Sequence, residues 1–174
     1  LWSRLFLGFI QFNRGETALA SATDEIVGSL AIAYGSPRFA AMARYLQGWA
    51  AYERNQLDEA IALFDQVVNE RTAGIIILVN STLGLARALE VVGRSAEAEG
   101  LFQRLAKRYD GPAQWLYGKA QVRAFAAERA LMRGDLDTVA IWLRGVSEWR
   151  ARVEMGSNQF PFVTRIQALI ALGR

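Results

Sequence analysis

Five short breaks recur along the chain, at Asn13-Arg14-Gly15, Arg54-Asn55-Gln56, Val92-Gly93-Arg94, Arg133-Gly134-Asp135 and Leu172-Gly173-Arg174. Taking Gly15, Asn55, Gly93, Gly134 and Gly173 as equivalent gives intervals of 40, 38, 41 and 39 residues. A fixed period of that size marks an internal structural repeat. Gly, with Asn as its nearest substitute, suits the left-handed residue after a helix C-terminus, because any other Cβ is strained there. Each break therefore reads as a turn between two helices.

A stripe of apolar residues at helical spacing follows the breaks: Leu57, Ala60, Ile61, Phe64, Val67 and Val68, then Ala98, Leu101, Phe102 and Leu105, then Leu136, Val139, Ala140, Leu143 and Val146. One face of each such helix is expected to be buried. Asp58, Glu59, Glu97 and Asp137 stand in the first turns, where a negative charge complements the helix dipole. A second helix precedes each break, and Ser36-Pro37, Gly111-Pro112 and Phe160-Pro161 mark its start, since Pro is tolerated at the first helical position. Helices are expected near 2–12, 17–34, 37–53, 57–70, 73–91, 95–108, 112–132, 136–150 and 161–172. The pattern predicts an all-α, right-handed superhelical array of antiparallel pairs over 1–174, with units at about 1–34, 37–70, 73–108, 112–150 and a partial 161–174. The ends give the array the look of a fragment of a larger protein.

Seven residues before the breaks lie Gly8, Gly48, Ala86 and Ala127, and five residues after them lie Ala20, Ala60 and Ala98. Small residues are needed where two helix backbones approach, so these two sets are expected to face each other, with bulk there costing about 1–3 kcal/mol by overpacking.

Composition narrows the function. The 174 residues include no Cys and no His, which removes disulfides, thiol nucleophiles and the commonest zinc ligands. Twenty Lys and Arg against 17 Asp and Glu leave a net charge of +3, too small for a dedicated nucleic-acid surface when the bases are scattered among the acids. The uncharged stretch from Thr72 to Ala86 falls short of the roughly 20 apolar residues of a spanning helix, so it reads as a buried helix and no membrane partner is expected. Neither a native start nor a signal peptide is visible at Leu1, and a cytoplasmic location is expected.

The segment GWAAYERNQLDEAIALFDQVV, Gly48 to Val68, is similar to the tetratricopeptide repeat pattern, with its small residue, its turn, Asp58-Glu59-Ala60 and the aromatic Phe64. Phe102 holds the same aromatic position. The fourth unit departs, with Val139 at the small position and Leu143 at the aromatic one, and the first has Asp24 there. A narrower resemblance covers roughly residues 40–174: the runs LGLARALEVVGRSAEAEGLF, AAERALMRGDLDTVAIWL and RIQALIALGR look like the helical repeat region of large ATP-dependent LuxR-type transcriptional regulators of the maltose-activator kind. That resemblance implies a bacterial protein with a nucleotide-binding ATPase module before the repeats and a helix-turn-helix after them. It further implies repeats that take an inducer or a protein partner and take part in self-association.

In such arrays a concave groove is lined by the first helix of each pair. Here it would be lined by Tyr45, Trp49, Tyr52 and Glu53, by Asn80, Leu83, Arg87 and Glu90, and by Gln121 and Glu128. An aromatic wall facing an Arg and several carboxylates suits a sugar, a peptide or a partner helix. The plainer reading is that Tyr45 and Trp49 pack against neighbouring helices, and that Arg87 and Glu90, three apart, pair with each other. Trp115, Trp142 and Trp149 read either as an interface or as residues buried against the fifth unit.

Chemistry finds no foothold: no catalytic residue, metal ligand set or cofactor is expected. Gly118-Lys119 departs from a phosphate loop, because Gly111 is seven residues before Gly118 and Ala120 replaces the Ser or Thr that would hold magnesium. Asn80-Ser81-Thr82 fits a glycosylation pattern but lies in an expected helix, and Asp110 reads as a helix cap. The function that best fits is a ligand- or partner-sensing interaction domain. A constitutive scaffold binding a peptide or helix is the alternative, and a helical enzyme domain is the reading from another class.

Overall fold

The computed structural model describes residues 1–70, 72–109, 116–150 and 159–173. Among them it contains nine α-helices and no strand. They are α1 (Trp2–Asn13), α2 (Thr17–Ala33), α3 (Pro37–Glu53), α4 (Leu57–Val68), α5 (Ile75–Val91), α6 (Ser95–Tyr109), α7 (Leu116–Met132), α8 (Leu136–Arg150) and α9 (Gln159–Ala171). The helices pack in consecutive pairs, as in a tetratricopeptide-like repeat.

The five breaks adopt the backbone their residue types require. Gly15, Asn55, Gly93, Gly134 and Gly173 have φ of 78°, 60°, 80°, 72° and 66°. After the first four, the next N–H returns to a carbonyl five residues back: Glu16 to Gln11 at 2.9 Å, Gln56 to Ala51 at 2.9 Å, Arg94 to Leu89 at 2.8 Å and Asp135 to Ala130 at 2.9 Å. This closing bond satisfies carbonyls that the helix end leaves without an intrahelical donor. Gly35, with φ 61°, makes the same turn between α2 and α3, where Ser36 N–H reaches Ala31 O at 2.7 Å.

Two expected helix starts need comment. Pro37 is the first residue of α3, but α9 begins at Gln159, two residues ahead of the expected start at Pro161. Pro161 still falls in the first turn, where its missing N–H has no intrahelical acceptor to lose. The expected cap at Asp110 and the start at Pro112 lie outside the described residues.

The chain divides into two compact units, Leu1–Gln103 and Arg104–Arg174. In the first, α1 pairs with α2 and α3 with α4; α2 then packs on α3 and α4 on α5, and the first helices of successive pairs also touch, α1 with α3 and α3 with α5. Alanines let these helices close: Ala20, Ala31, Ala41, Ala43, Ala50, Ala51 and Ala60 are all fully buried. The uncharged stretch from Thr72 supplies α5, buried along Val79 and from Ser81 to Ala86. No helix among the described residues is long and apolar enough to cross a membrane.

At Gly48 the nearest neighbour is the aromatic Phe64. A Cβ on Gly48 would lie 2.7 Å from the Phe64 ring, and a Cβ on Gly84 would lie 2.7 Å from the same ring. The small residue of one helix thus makes room for the aromatic one turn beyond Ala60, and Phe64, fully buried, is wedged between α3 and α5. In the second unit, α7, α8 and α9 pack on one another. Ala130, Val139 and Ala168 form its buried cluster, with Leu131, Trp142, Leu143 and Leu172 against it. Val139 and Leu143 replace the small-plus-aromatic pair by two middle-sized residues. Leu136, expected on the buried stripe, is exposed at the start of α8.

Candidate functional site

The first unit brings most of the expected groove residues onto α3 and α5, which pack side by side. Tyr45, Trp49 and Tyr52 follow one another on α3 at helical spacing, all half-buried. Asn80, Arg87 and Glu90 answer them from α5, also half-buried. Trp49 and Arg87 are 38 residues apart, which is one repeat, so they occupy equivalent positions on neighbouring first helices.

Their contacts cross-link the two helices. Asn80 Nδ2 donates to Tyr45 Oη at 3.4 Å. The Arg87 guanidinium carbon lies 5.6 Å from the centre of the Trp49 ring, a cation–π arrangement worth about 0.5–2 kcal/mol depending on exposure. Trp49 also meets Tyr52 edge-on, with ring centres 5.7 Å apart, and Phe64 likewise at 5.4 Å. Trp49 therefore belongs to both readings: its ring packs on the core through Phe64 and takes the Arg87 cation. Glu53, at the end of α3, is exposed, whereas Leu83 is buried in the core. Tyr45, Tyr52, Asn80, Arg87 and Glu90 are each engaged within the protein.

Gln121 and Glu128 lie in the second unit, on α7. Gln121 is 2% exposed and Glu128 half-buried. Trp142 is half-buried and packs against the cluster of Ala130, Val139 and Ala168, the last of these from α9. Trp115 and the side chain of Trp149 lie outside the described residues.

The motifs set aside in the sequence occupy structural positions. Gly118 is buried against the Tyr109 ring, within α7 in the case of Gly118 and Lys119. Ser81 and Thr82 are buried within α5, and the Thr82 hydroxyl donates to Leu78 O at 2.7 Å. Among the described residues no three His, Cys, Asp or Glu side chains come together as a metal-binding group.

One polar residue stood in the sequence only as a departure from the repeat pattern. Asp24 on α2 is 1% exposed, its two carboxylate oxygens have no hydrogen-bond partner, and burial pushes its pKa up from 3.8 to about 7. The opposite shift occurs at the surface, where Thr138 donates its backbone N–H to Asp135 Oδ1 at 3.1 Å and hydrogen bonding from Thr138 holds the Asp135 carboxyl below its ordinary value.

Residues 41–66 and 79–104 each match the family model for the tetratricopeptide repeat. Each stretch runs from within a first helix, α3 or α5, across the turn and into the second. No curated protein and no solved structure matches the chain. With the helix pairing on the page, these matches support a tetratricopeptide-like repeat region, a pattern that indicates a protein–protein interaction scaffold, and the α3–α5 face lies within the matched residues.

Proposed function

We propose that the chain is the ligand- or partner-sensing interaction domain of a LuxR-type transcriptional regulator, acting in the cytoplasm without catalysis of its own. The observation that carries the binding half of this reading is the α3–α5 face. Tyr45, Trp49 and Tyr52 present an aromatic row, and Asn80 and Arg87 hold it in place from the next repeat. A rigid aromatic row flanked by a cation and by carboxylates suits a peptide, a partner helix or a small-molecule inducer. Glu128, half-buried on α7, is proposed as a separate contact of the second unit, whereas Gln121, 2% exposed, packs inside that unit and is not proposed as one. The regulator half rests on the resemblance of the runs beginning at Leu83, Ala126 and Arg165 to that family. In that setting a ligand preferring one arrangement of the helix pairs shifts the population of that arrangement, and neighbouring ATPase and helix-turn-helix modules respond through their contacts. Self-association belongs to the same proposal.

The coding sequence on either side of these residues tests it. An ATPase with a phosphate loop upstream and a helix-turn-helix downstream is the expected result; other neighbours overturn the regulator reading. A second reading, the constitutive scaffold, is favoured by the contacts within the face, since its side chains are already bonded to one another. Binding to such a face need not move anything.

A further inference from the structure

In the second pair the position four residues after the buried Ala60 holds Phe64, whose ring fills the space left by Gly48. In the first pair the same position, four residues after the buried Ala20, holds Asp24. The carboxyl takes the place of the ring and points at α1: a Cβ added to Gly8 would collide with Asp24 Oδ1. The titratable side chains of the helices packed on α2 are Arg4 on α1 and Arg38, Arg44, Tyr45, Tyr52 and Glu53 on α3. None of them bonds to either oxygen, and Glu25, the other carboxyl of α2, is exposed.

An ionised carboxylate in that place is shielded from bulk solvent and has no protein donor, while a neutral carboxyl carries no charge to desolvate. Docked α1 therefore favours the protonated form, and by linkage the protonated form favours docked α1. The α1 side of the contact reaches the interaction face. Leu5 of α1, Val27 of α2 and Ala43 and Leu46 of α3 form one buried cluster, and Tyr45 packs against it while accepting the hydrogen bond from Asn80.

We propose that the α1–α2 pair is a proton-controlled latch: α1 is held against α2 and α3 while Asp24 is neutral and loosens when Asp24 ionises, releasing the cluster that supports Tyr45. The effect on binding rests on the face proposed above; the latch itself does not. The direction follows from burial. The Asp24 pKa is raised above its ordinary value of 3.8 to about 7, so docking is strongest below pH 4, weakens as pH rises toward 7 and levels off above it.

Hydrogen exchange of the whole chain between pH 5 and pH 8.5, corrected for intrinsic exchange rates, tests this. In the wild type, protection of α1 amides is expected to fall by about ten- to a hundredfold relative to α4 and α5, since one proton gives up to tenfold per pH unit below the raised pKa. Asp24→Asn, nearly isosteric and unable to ionise, is expected to flatten the profile. Asp24→Leu, which fills the place with apolar atoms, must flatten it too and serves if the Asn variant folds poorly. A flat wild-type profile, or the same fall in Asp24→Leu, overturns the latch. A pH-dependent α1 together with no partner capture from α3 supports the latch and counts against the face alone.

Discussion

Arg87 and Trp49, one repeat apart, form a cation–π pair with the guanidinium carbon 5.6 Å from the ring centre. The half-buried contact joins α3 to α5 beside the place where Phe64 joins them in the core. Arg87→Ala is expected to lower stability by about 0.5–2 kcal/mol, the range for a cation over an indole, with helix content unchanged. Urea unfolding followed by circular dichroism measures both. Arg87→Lys should recover part of the loss, since Lys keeps the charge and gives up the planar guanidinium.

Phe64 makes a paired prediction about glycines. Gly48→Ala and Gly84→Ala each place a methyl 2.7 Å from its ring and should destabilise by about 1–3 kcal/mol. Because both press on one side chain, their effects should not add. Gly28→Ala on α2 places its methyl 3.7 Å from Ala43 Cβ, an ordinary contact, and should stabilise by about 0.5–1 kcal/mol by relieving glycine in a helix interior. Thermal melts of the variants separate the two cases.

The turns allow a cleaner experiment, since their cost is conformational alone. A Cβ at Gly93 or Gly134 meets nothing within 4 Å, yet both residues have positive φ. Gly93→Ala and Gly134→Ala should each lose about 1–2 kcal/mol. Asn55→Gly should change little or stabilise slightly, since Asn55 already adopts φ 60°. Chemical denaturation midpoints decide it.

These turns were the most legible part of the sequence, and the reason is local. A positive φ restricts residue type whatever surrounds it, so Gly15, Asn55, Gly93, Gly134 and Gly173 announce the period unaided. The aromatic at Phe64 was equally visible. Its partner was not, because whether Gly48 faces Ala60 or Phe64 depends on where side chains one turn apart point. The α3 and α5 groove residues were readable as equivalent positions on first helices. The Asn80 to Tyr45 bond spans 35 residues and only the fold brings it about. Asp24 was visible as an exception to the repeat, but its isolation from every donor follows from the packing of α1 and α3 around it.

Asp135 carries a pH prediction opposite in sign to that of Asp24. Its folded-state pKa lies below 3.8, through the side-chain and then the backbone hydrogen bond from Thr138. Its stabilisation is therefore present above pH 4 and lost as pH falls through the depressed value. Asp135→Ala should lower the melting temperature at pH 7, and the difference from the wild type should shrink as the pH falls below 4, with α8 losing the acceptor for its Thr138 N–H.

The central claim is that the α3–α5 face is where a protein partner binds. Photo-crosslinking in the host cell addresses it directly, with a benzophenone side chain placed at Tyr52 or Glu53 on α3, or at the exposed Asp65 on α4 as the comparison. The account predicts an adduct of defined mass from Tyr52 and Glu53, absent from Asp65 and lost when Arg87→Ala is introduced. Equal adducts from Asp65, or adducts from α3 that survive the Arg87 substitution unchanged, would contradict it.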